Sequence, residues 1–260
     1  MQKDRAFFER LYKRFNKRGL VTPDPLQFLY HYPHIKDREL AALLGACFAY
    51  GNVKQIIKNL NNIFALMPQG PHAFITSHSA KDFHKTFAGF KYRFTTGQEL
   101  CALLVNLKTL LATYGTLENC FLQSYSPQDP TVLPALRAFA AKLRRGGEIH
   151  SLVPDPQKTS ALKRLNLFLR WVVRQDEVDP GGWQKVSPSQ LIVPLDVHMH
   201  RLGRMLGLTR RNQADMNTAL EITRSLARFS PKDPIKYDFC LTRFGIRDDM
   251  NYKDLSGAAR

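Results

Sequence analysis

The sequence lacks any run of about twenty consecutive apolar residues, which a membrane-spanning helix needs, so we expect no membrane partner. It also lacks a C-x-x-C pair, because Cys47, Cys101, Cys120 and Cys240 lie far apart. This spacing argues against a zinc ribbon or redox motif, and we expect four buried thiols, no metal and no cofactor. Charges scattered through the first twenty residues argue against a signal peptide and favour a cytoplasmic protein.

Acidic residues are also scarce. Lys and Arg total 38 against 22 Asp and Glu, which gives a formal net charge of +16. Such an excess favours an acidic partner, and nucleic acid is the commonest one. Because 44% of the residues are hydrophobic, the chain can build a substantial core and is not intrinsically disordered. We therefore expect a folded, monomeric, DNA-binding protein of one domain or two small ones.

Apolar residues recur at helical spacing along most of the chain. Strand-like alternation is confined to Phe87–Phe94, which we interpret as a loop because it is short and isolated. The pattern predicts helices over 4–18, 37–51, 52–67, 73–76, 81–86, 98–114, 117–125 and 132–145. The predicted architecture is all-α and orthogonally packed, with two helical lobes flanking a cleft.

The segment Pro188–Leu208 joins an apolar run to an acid and then to an amphipathic, basic helix. Asp196 directly precedes the helical pattern and is predicted to be its N-cap, while Gly207 supplies the stop signal. On this evidence alone, Asp196 is interpreted as a cap and nothing more.

A proline-rich turn at 153–157 begins the second informative segment. Thr159 or Ser160 is expected to cap the helix that follows. Lys163 falls near the start of that helix, where the helix dipole and the adjacent Arg164 are expected to lower the pKa of its amine. A neutral amine is the form that attacks carbon. The alternative interpretation is a surface lysine or a phosphate contact on a basic helix.

Pro194-Leu-Asp-Val-His, followed by Arg201-Leu-Gly-Arg-Met-Leu-Gly-Leu, resembles a motif of the helix-hairpin-helix (HhH-GPD) DNA glycosylases, the endonuclease III-like superfamily. The resemblance implies that Asp196 is a catalytic carboxylate. It also implies that Lys163 attacks the sugar C1′ and forms a Schiff base. The two positions lie 33 residues apart, an interval similar to that of archaeal 8-oxoguanine DNA glycosylases.

The resemblance also implies a domain arrangement within residues 1–260. A helical-barrel lobe would span 31–195 and include a hairpin-like turn near 153–160. The terminal segments 1–30 and 196–260 would form the other lobe. Some endonuclease III relatives hold an iron–sulfur cluster on four closely spaced C-terminal cysteines, but only one cysteine follows Asp196 here, so no cluster is expected.

A second resemblance, covering nearly the whole chain, is to an uncharacterised bacterial family described as a domain of unknown function. It rests on blocks around Gly89–Phe94, Lys163–Arg174, Asp179–Trp183 and Pro231–Phe239. Because that family is itself similar to the glycosylases, the resemblance also implies a function.

Charge and resemblance together predict DNA contacts by Lys158, Arg164, Arg170, His198, Arg201 and Arg204. Trp183 and Asn52 are the candidates for a base pocket, since aromatic faces hold flipped bases. A buried anchor for its loop is the alternative role for Trp183. His198 and His200 are two residues apart and point in different directions on a helix, so they predict no metal site.

The function implied is that of a base-excision DNA glycosylase, with or without AP lyase activity, acting on a damaged purine such as 8-oxoguanine. One departure favours an alternative. The usual hairpin presents two glycines whose backbone amides approach a phosphate, whereas Val153-Pro-Asp-Pro-Gln has none. The alternative is a non-catalytic nucleic-acid-binding protein that retains the glycosylase fold.

Overall fold

The computed structural model describes residues 4–255, which are mostly α-helical. The described residues form twelve α-helices: α1 Arg5–Phe15, α2 Ile35–Cys47, α3 Val53–Ala65, α4 Pro71–Ser77, α5 Ala80–Phe87, α6 Gly97–Tyr114, α7 Leu117–Leu122, α8 Leu133–Leu143, α9 Lys163–Val173, α10 Val197–Met205, α11 Met216–Ala227 and α12 Asp238–Ile246. Short 3₁₀ helices occupy Arg18–Leu20, Pro25–His31, Pro188–Gln190 and Tyr252–Asp254. The all-α prediction is confirmed.

One small correction concerns Phe87–Phe94, which we expected to be a loop. Two short strands, β1 Lys91–Tyr92 and β2 Thr95–Thr96, pair antiparallel with Tyr92 opposite Thr95. Arg93 and Phe94 form the two-residue turn between them, and Arg93 adopts the left-handed conformation (φ 51°) that such hairpin turns require. Cross-strand hydrogen bonding, which periodicity does not report, is what converts this segment into a hairpin.

The chain divides into two units with boundaries that differ from the expected lobes. Unit 1 comprises Met1–Thr22, Asp129–Val132 and Thr159–Arg260, and unit 2 comprises Pro23–Gln128 and Leu133–Lys158. Residues 159–195, which the resemblance placed in the barrel lobe with 31–158, group with the terminal segments instead.

Unit 2 is built around α2 and α6, whose apolar residues are almost all buried. The 3₁₀ helix Pro25–His31 packs on α2, and α5 packs on α6. Glu39 is buried in α2, and its carboxylate accepts the backbone N–H groups of Leu117 (2.8 Å) and Glu118 (3.3 Å) at the start of α7. A buried acid therefore caps a neighbouring helix in this unit.

Unit 1 packs α12 against α1 and α10. The α10–α11 contact depends on Gly203, because a Cβ at this position would lie 2.6 Å from Cδ1 of Ile222. Phe8 and Tyr237 bring α1 onto the start of α12, with ring centroids 5.2 Å apart. These contacts hold the last turn of α10 on α11 and the start of α12 on α1.

The four cysteines are buried free thiols, as expected. Burial raises the pKa of the Cys120 thiol to about 11. Among residues 4–255, no group of three or more His, Cys, Asp or Glu side chains is arranged to hold a metal ion. Within the same residues, no helix has both the length and the apolar character needed to cross a membrane.

Candidate functional site

Asp196 lies at the start of α10 and is its N-cap. The Oδ1 atom accepts hydrogen bonds from the backbone N–H groups of His198 (3.0 Å) and Met199 (2.9 Å), which confirms the predicted cap. The side chain is half-buried, and no described residue donates a hydrogen bond to Oδ2. One oxygen thus fixes the carboxylate, and the other is available to a ligand.

Tyr252 contacts the first turns of α10. Its hydroxyl lies 2.8 Å from Nδ1 of His198, and its ring centroid lies 4.3 Å from the guanidinium carbon of Arg201. Burial raises the pKa of the Tyr252 hydroxyl, an effect that Arg201 opposes and Asp196 reinforces. The hydroxyl therefore stays protonated at neutral pH, and it holds the His198 ring by a hydrogen bond.

Gly245 in α12 makes this arrangement possible. A Cβ at position 245 would lie 2.6 Å from Nδ1 of His198 and would collide with the hydroxyl of Tyr252. Any larger residue therefore has to displace one of these two side chains. The glycine lets α12 approach the His198–Tyr252 pair.

A buried ion network in unit 1 begins with Arg170 of α9. The Arg170 side chain is 3% exposed, Nη2 donates to Oδ1 of Asp179 at 2.9 Å, and Nη1 donates to Oδ2 of Asp238 at 2.6 Å. Arg170 was expected to contact DNA. That prediction is wrong for this conformation, because the guanidinium is enclosed by protein and satisfied by two carboxylates.

Arg174, the C-cap of α9 four residues after Arg170, extends the network. It contacts Asp179, donates from Nε to Asp233 at 3.0 Å and from Nη2 to Asp176 at 2.8 Å. Neighbouring carboxylates raise the pKa of Arg174 even though burial alone would lower it. Both guanidinium groups remain charged and hold the loop after α9 against the start of α12.

Asp238 completes the network at the start of α12. Its Oδ1 is buried and accepts no hydrogen bond from any residue in the described range. Burial raises the pKa of Asp238, Arg170 opposes this shift, and the negative charge of Asp196 adds to it. The buried Asp238 carboxylate therefore depends on Arg170 for its compensating charge.

Lys163 is the first residue of α9 and is half-buried. Its helix is not capped by Thr159 or Ser160 as expected. The N-cap is Leu162, which is left-handed (φ 47°) and provides no side-chain hydrogen bond. The backbones around Thr159 and Ser160 instead pair with Met216 and Asp215, and pairing of this kind holds them outside the helix.

Lys163 and Asp196 therefore occupy the first positions of two helices in unit 1. Neither a hydrogen bond nor a salt bridge joins the Lys163 amine to the Asp196 carboxylate. The structure places both in the same unit, and their catalytic roles stay predictions.

The other predicted DNA contacts differ in exposure. Lys158, Arg201 and Arg204 are exposed, whereas Arg164 and His198 are half-buried. Arg201 and Arg204 share a face of α10 with Val197, which is 74% exposed. The exposed face of α10 is thus basic with an apolar residue beside the Asp196 cap.

The two base-pocket candidates do not lie together in one unit. Trp183, in unit 1, is 2% exposed and packs edge-on against Phe168, with centroids 5.3 Å apart. Its backbone N–H donates to Val172 at 2.8 Å, so it acts as the buried anchor of its loop. Asn52, in unit 2, is exposed and caps α3 by accepting the N–H of Lys54 at 3.0 Å.

The sequence interpretation missed Tyr252 and the network around Asp238. Asp238 is enclosed by protein and paired with Arg170. A usable signal was present, since Arg170 and Arg174 lie four residues apart on a helix whose other residues are mostly apolar. Two arginines at that spacing share a face, and buried arginines need carboxylate partners.

The helices define an all-α protein, and its composition gives it a net charge of +16. The chain belongs to a family described as a protein of unknown function (DUF2400), whose model matches residues 24–247. No curated protein and no solved structure matches the chain. The likeness to helix-hairpin-helix glycosylases therefore rests on the sequence motifs alone.

Proposed function

We propose that the protein binds DNA and removes a damaged purine, such as 8-oxoguanine, by base excision. Asp196 is the catalytic carboxylate of the proposal and Lys163 is the nucleophile. The observation that carries it is the state of Asp196, which is half-buried and fixed through Oδ1 by two backbone N–H groups while Oδ2 stays open. A fixed carboxylate with one open oxygen suits stabilisation of a developing positive charge.

The chemistry requires a nucleotide that has left the base stack, because C1′ is not accessible inside a duplex. The neutral Lys163 amine attacks C1′ while the bond from C1′ to the base nitrogen breaks. The base departs with that electron pair and takes up a proton. The amine then loses a proton and the C1′–O4′ bond opens, which leaves a Schiff base and a protonated O4′. Asp196 offsets the positive charge on the sugar during bond cleavage.

The surface charge supports DNA as the partner. Arg201 and Arg204 are exposed on the helix that Asp196 caps, and the whole chain carries a net charge of +16. Contacts between such side chains and phosphates release counterions and make the affinity salt-dependent. Arg170 is no longer among the proposed contacts, since it is enclosed in the ion network.

A second candidate function is nucleic-acid binding without catalysis, and the turn at Asp155 favours it. Oδ1 of Asp155 accepts the backbone N–H of Gln157 at 2.9 Å. In the usual hairpin, amides at this turn approach a phosphate. Here a carboxylate occupies one of them and adds a negative charge that repels phosphate.

Borohydride trapping separates the two candidates. The protein is incubated with duplexes containing 8-oxoguanine, uracil, an alkylated purine or an abasic site, and borohydride reduces any Schiff base to a permanent crosslink. We expect a crosslink with at least one duplex and none with Lys163→Gln. Lys232→Gln is the matched control, because it removes one exposed charge from the same unit.

Affinity is measured alongside trapping. The logarithm of the affinity should fall with the logarithm of salt concentration by about 0.9 for each phosphate neutralised. Steep salt dependence without trapping or base release on any duplex would favour the non-catalytic candidate. Affinity that does not change with salt would contradict both.

A further inference from the structure

A groove in unit 2 combines an aromatic ring with polar side chains. It has a volume of about 700 Å³, and its lining includes Phe94, Gln98, Glu99, Glu148 and His150. No Lys or Arg is among the lining residues, although the chain has 38 of them. The side chains that line the groove are therefore acidic on balance, although the chain as a whole is basic.

Phe94 is presented to solvent by the hairpin turn. Its side chain is 76% exposed, the largest exposure among the big apolar side chains of the described range. Arg93 precedes it in a left-handed conformation, and the strands on both sides are paired. Tyr92 is buried beneath the hairpin with its ring 5.8 Å from that of Phe48. A rigid support thus holds an aromatic face toward solvent, where a planar ligand can stack on it.

Glu99 forms a fixed part of the groove. Its carboxylate accepts the backbone N–H of Ser151 at 3.0 Å and the hydroxyl of Ser151 at 2.6 Å, and it caps α6 through Thr96. The Ser151 hydroxyl lies 2.6 Å from that of Thr95. Because these bonds occupy Glu99, it supports the groove wall and does not serve as the main ligand contact.

Glu148 and His150 are the groove residues free to recognise a ligand. Glu148 is exposed and has no partner within residues 4–255. Nδ1 of His150 lies 2.8 Å from Nη2 of Arg144. Arginine can only donate, so Nδ1 is the acceptor and the ring proton is on Nε2. The pair therefore offers a carboxylate that accepts two hydrogen bonds and an imidazole N–H that donates one.

Two arginines lie near the groove without lining it, one beside Phe94 and one beside His150. The guanidinium carbon of Arg93 is 5.6 Å from the centroid of the Phe94 ring, and Arg144 contacts His150. A small organic amine would meet both positive charges on entry. These charges would repel the amine, whereas they would attract the phosphate of a nucleotide while its base enters the acidic groove.

We propose that this groove binds one unpaired guanine nucleotide. The base stacks on Phe94, Glu148 accepts the guanine N1–H and N2–H groups, and Nε2 of His150 donates to O6. Arg93 binds the phosphate. Guanine is selected because its base-pairing edge carries two adjacent donors beside one acceptor, which complements a carboxylate beside an N–H donor. A guanine within a nucleic-acid strand would reach the groove only if the protein binds nucleic acid, so this proposal rests on the proposed function in that case.

Affinity measurements on the full chain test the proposal. The probes are GMP, AMP and CMP, a seven-nucleotide thymine strand with one central guanine, the all-thymine strand, and a duplex of the guanine strand. We expect GMP or the guanine strand to bind more tightly than its guanine-free counterparts and than the duplex. Equal affinity for GMP and the guanine strand identifies a free nucleotide as sufficient, whereas preference for the strand identifies single-stranded nucleic acid.

Variants locate the binding in the groove. Phe94→Leu should weaken guanine binding by about 5- to 150-fold, since stacking on an aromatic ring contributes about 1–3 kcal/mol for each base. Phe94→Tyr keeps the ring and should bind nearly as well as the parent. Glu148→Gln should reduce the preference for guanine, because an amide presents only one acceptor. Leu66→Ala, at another exposed apolar residue of unit 2, is the matched control.

Binding of all probes with equal affinity, or unchanged guanine affinity in Phe94→Leu, would overturn the proposal. Borohydride trapping of the same variants keeps this result separate from the proposed function. Phe94→Leu that traps like the parent but loses guanine affinity supports the groove independently of Lys163. Normal trapping with no guanine preference in the parent contradicts the groove and leaves the excision proposal standing.

Discussion

Oδ2 of Asp238 accepts a hydrogen bond from Nη1 of Arg170 at 2.6 Å, while Oδ1 of the same carboxylate is buried without a partner among residues 4–255. The pair connects the last turn of α9 to the start of α12 inside unit 1. Since a buried carboxylate is tolerated only with a compensating charge, the position of Asp238 depends on Arg170. Asp238 also begins α12, which packs against α10, the helix that Asp196 caps.

Arg170→Met should lower the free energy of unfolding by about 3–5 kcal/mol, because it leaves the carboxylates of Asp179 and Asp238 buried without their shared partner. Urea unfolding monitored by tryptophan fluorescence measures the change. Arg204→Gln is the control, since it removes an equal charge from an exposed position and should change stability by less than about 0.5 kcal/mol. Equal losses in the two variants would refute a special role for the buried pair.

Asp196 can act as a helix cap, a catalytic carboxylate or both, and two substitutions distinguish these roles. Asp196→Asn should retain nearly all the stability of the parent because asparagine caps helices about as well as aspartate. If base excision is detected, Asp196→Asn should slow it by about a hundredfold to a thousandfold, since an amide cannot offset the charge on the sugar. Single-turnover excision and thermal unfolding provide the two measurements.

Asp196→Ala serves as the comparison for the cap. It removes the acceptor for the N–H groups of His198 and Met199 and should cost about 1 kcal/mol of stability. Full excision activity in Asp196→Asn would show that Asp196 is structural only.

Gly245→Ala should destabilise the protein by about 1–3 kcal/mol, because its methyl group would overlap His198 and Tyr252. Alanine normally stabilises a helix relative to glycine, so a loss here has to come from the clash. Gly19→Ala is the matched control, since no atom lies within 4 Å of a Cβ at that position. Urea unfolding measures each free energy.

The double variant Gly245→Ala/Tyr252→Ala tests the cause of that loss. Removing the Tyr252 ring relieves part of the overlap, so the two substitutions together should cost less than the sum of their separate effects. Strict additivity would mean that Gly245 is required for another reason.

Asp215 should contribute to an acid-dependent loss of stability. It caps α11 by accepting the N–H of Thr218 at 2.9 Å, and this bond is the main reason that its pKa is lowered below 3.8. A carboxyl with a lowered folded-state pKa stabilises the protein above its unfolded-state pKa, and this contribution is lost as the pH falls through the lowered value. Asp215→Asn also loses the ion pair with Arg211 at 2.8 Å, so the stability advantage of the parent over this variant should be present at pH 6 and shrink below pH ~4.

Asp248→Asn is the control for the acid series because Asp248 is exposed and has no partner within the described range. Its difference from the parent should stay nearly constant between these pH values. A stability advantage of the parent over Asp215→Asn that grows on acidification would contradict this prediction.

The amino-acid sequence alone determined the helices, because apolar spacing and capping residues act within a single helix. Apolar residues at helical spacing define α6 and α10, and Asp196 and Gly207 mark the ends of α10 since a cap and a left-handed glycine act within one turn. The buried thiols follow from the same apolar patterns. The net charge of +16 is likewise a property of composition.

Tertiary structure alone decided which charges are buried and which polar groups meet. Arg170 and Arg201 are both arginines on amphipathic helices, but one is paired with Asp238, 68 residues away, and the other is exposed over Tyr252. Contacts across such separations depend on how helices pack, and periodicity along one helix does not report its neighbours. For the same reason Leu162, rather than Thr159 or Ser160, became the N-cap of α9: long-range pairing with Asp215 and Met216 holds those residues away from the helix.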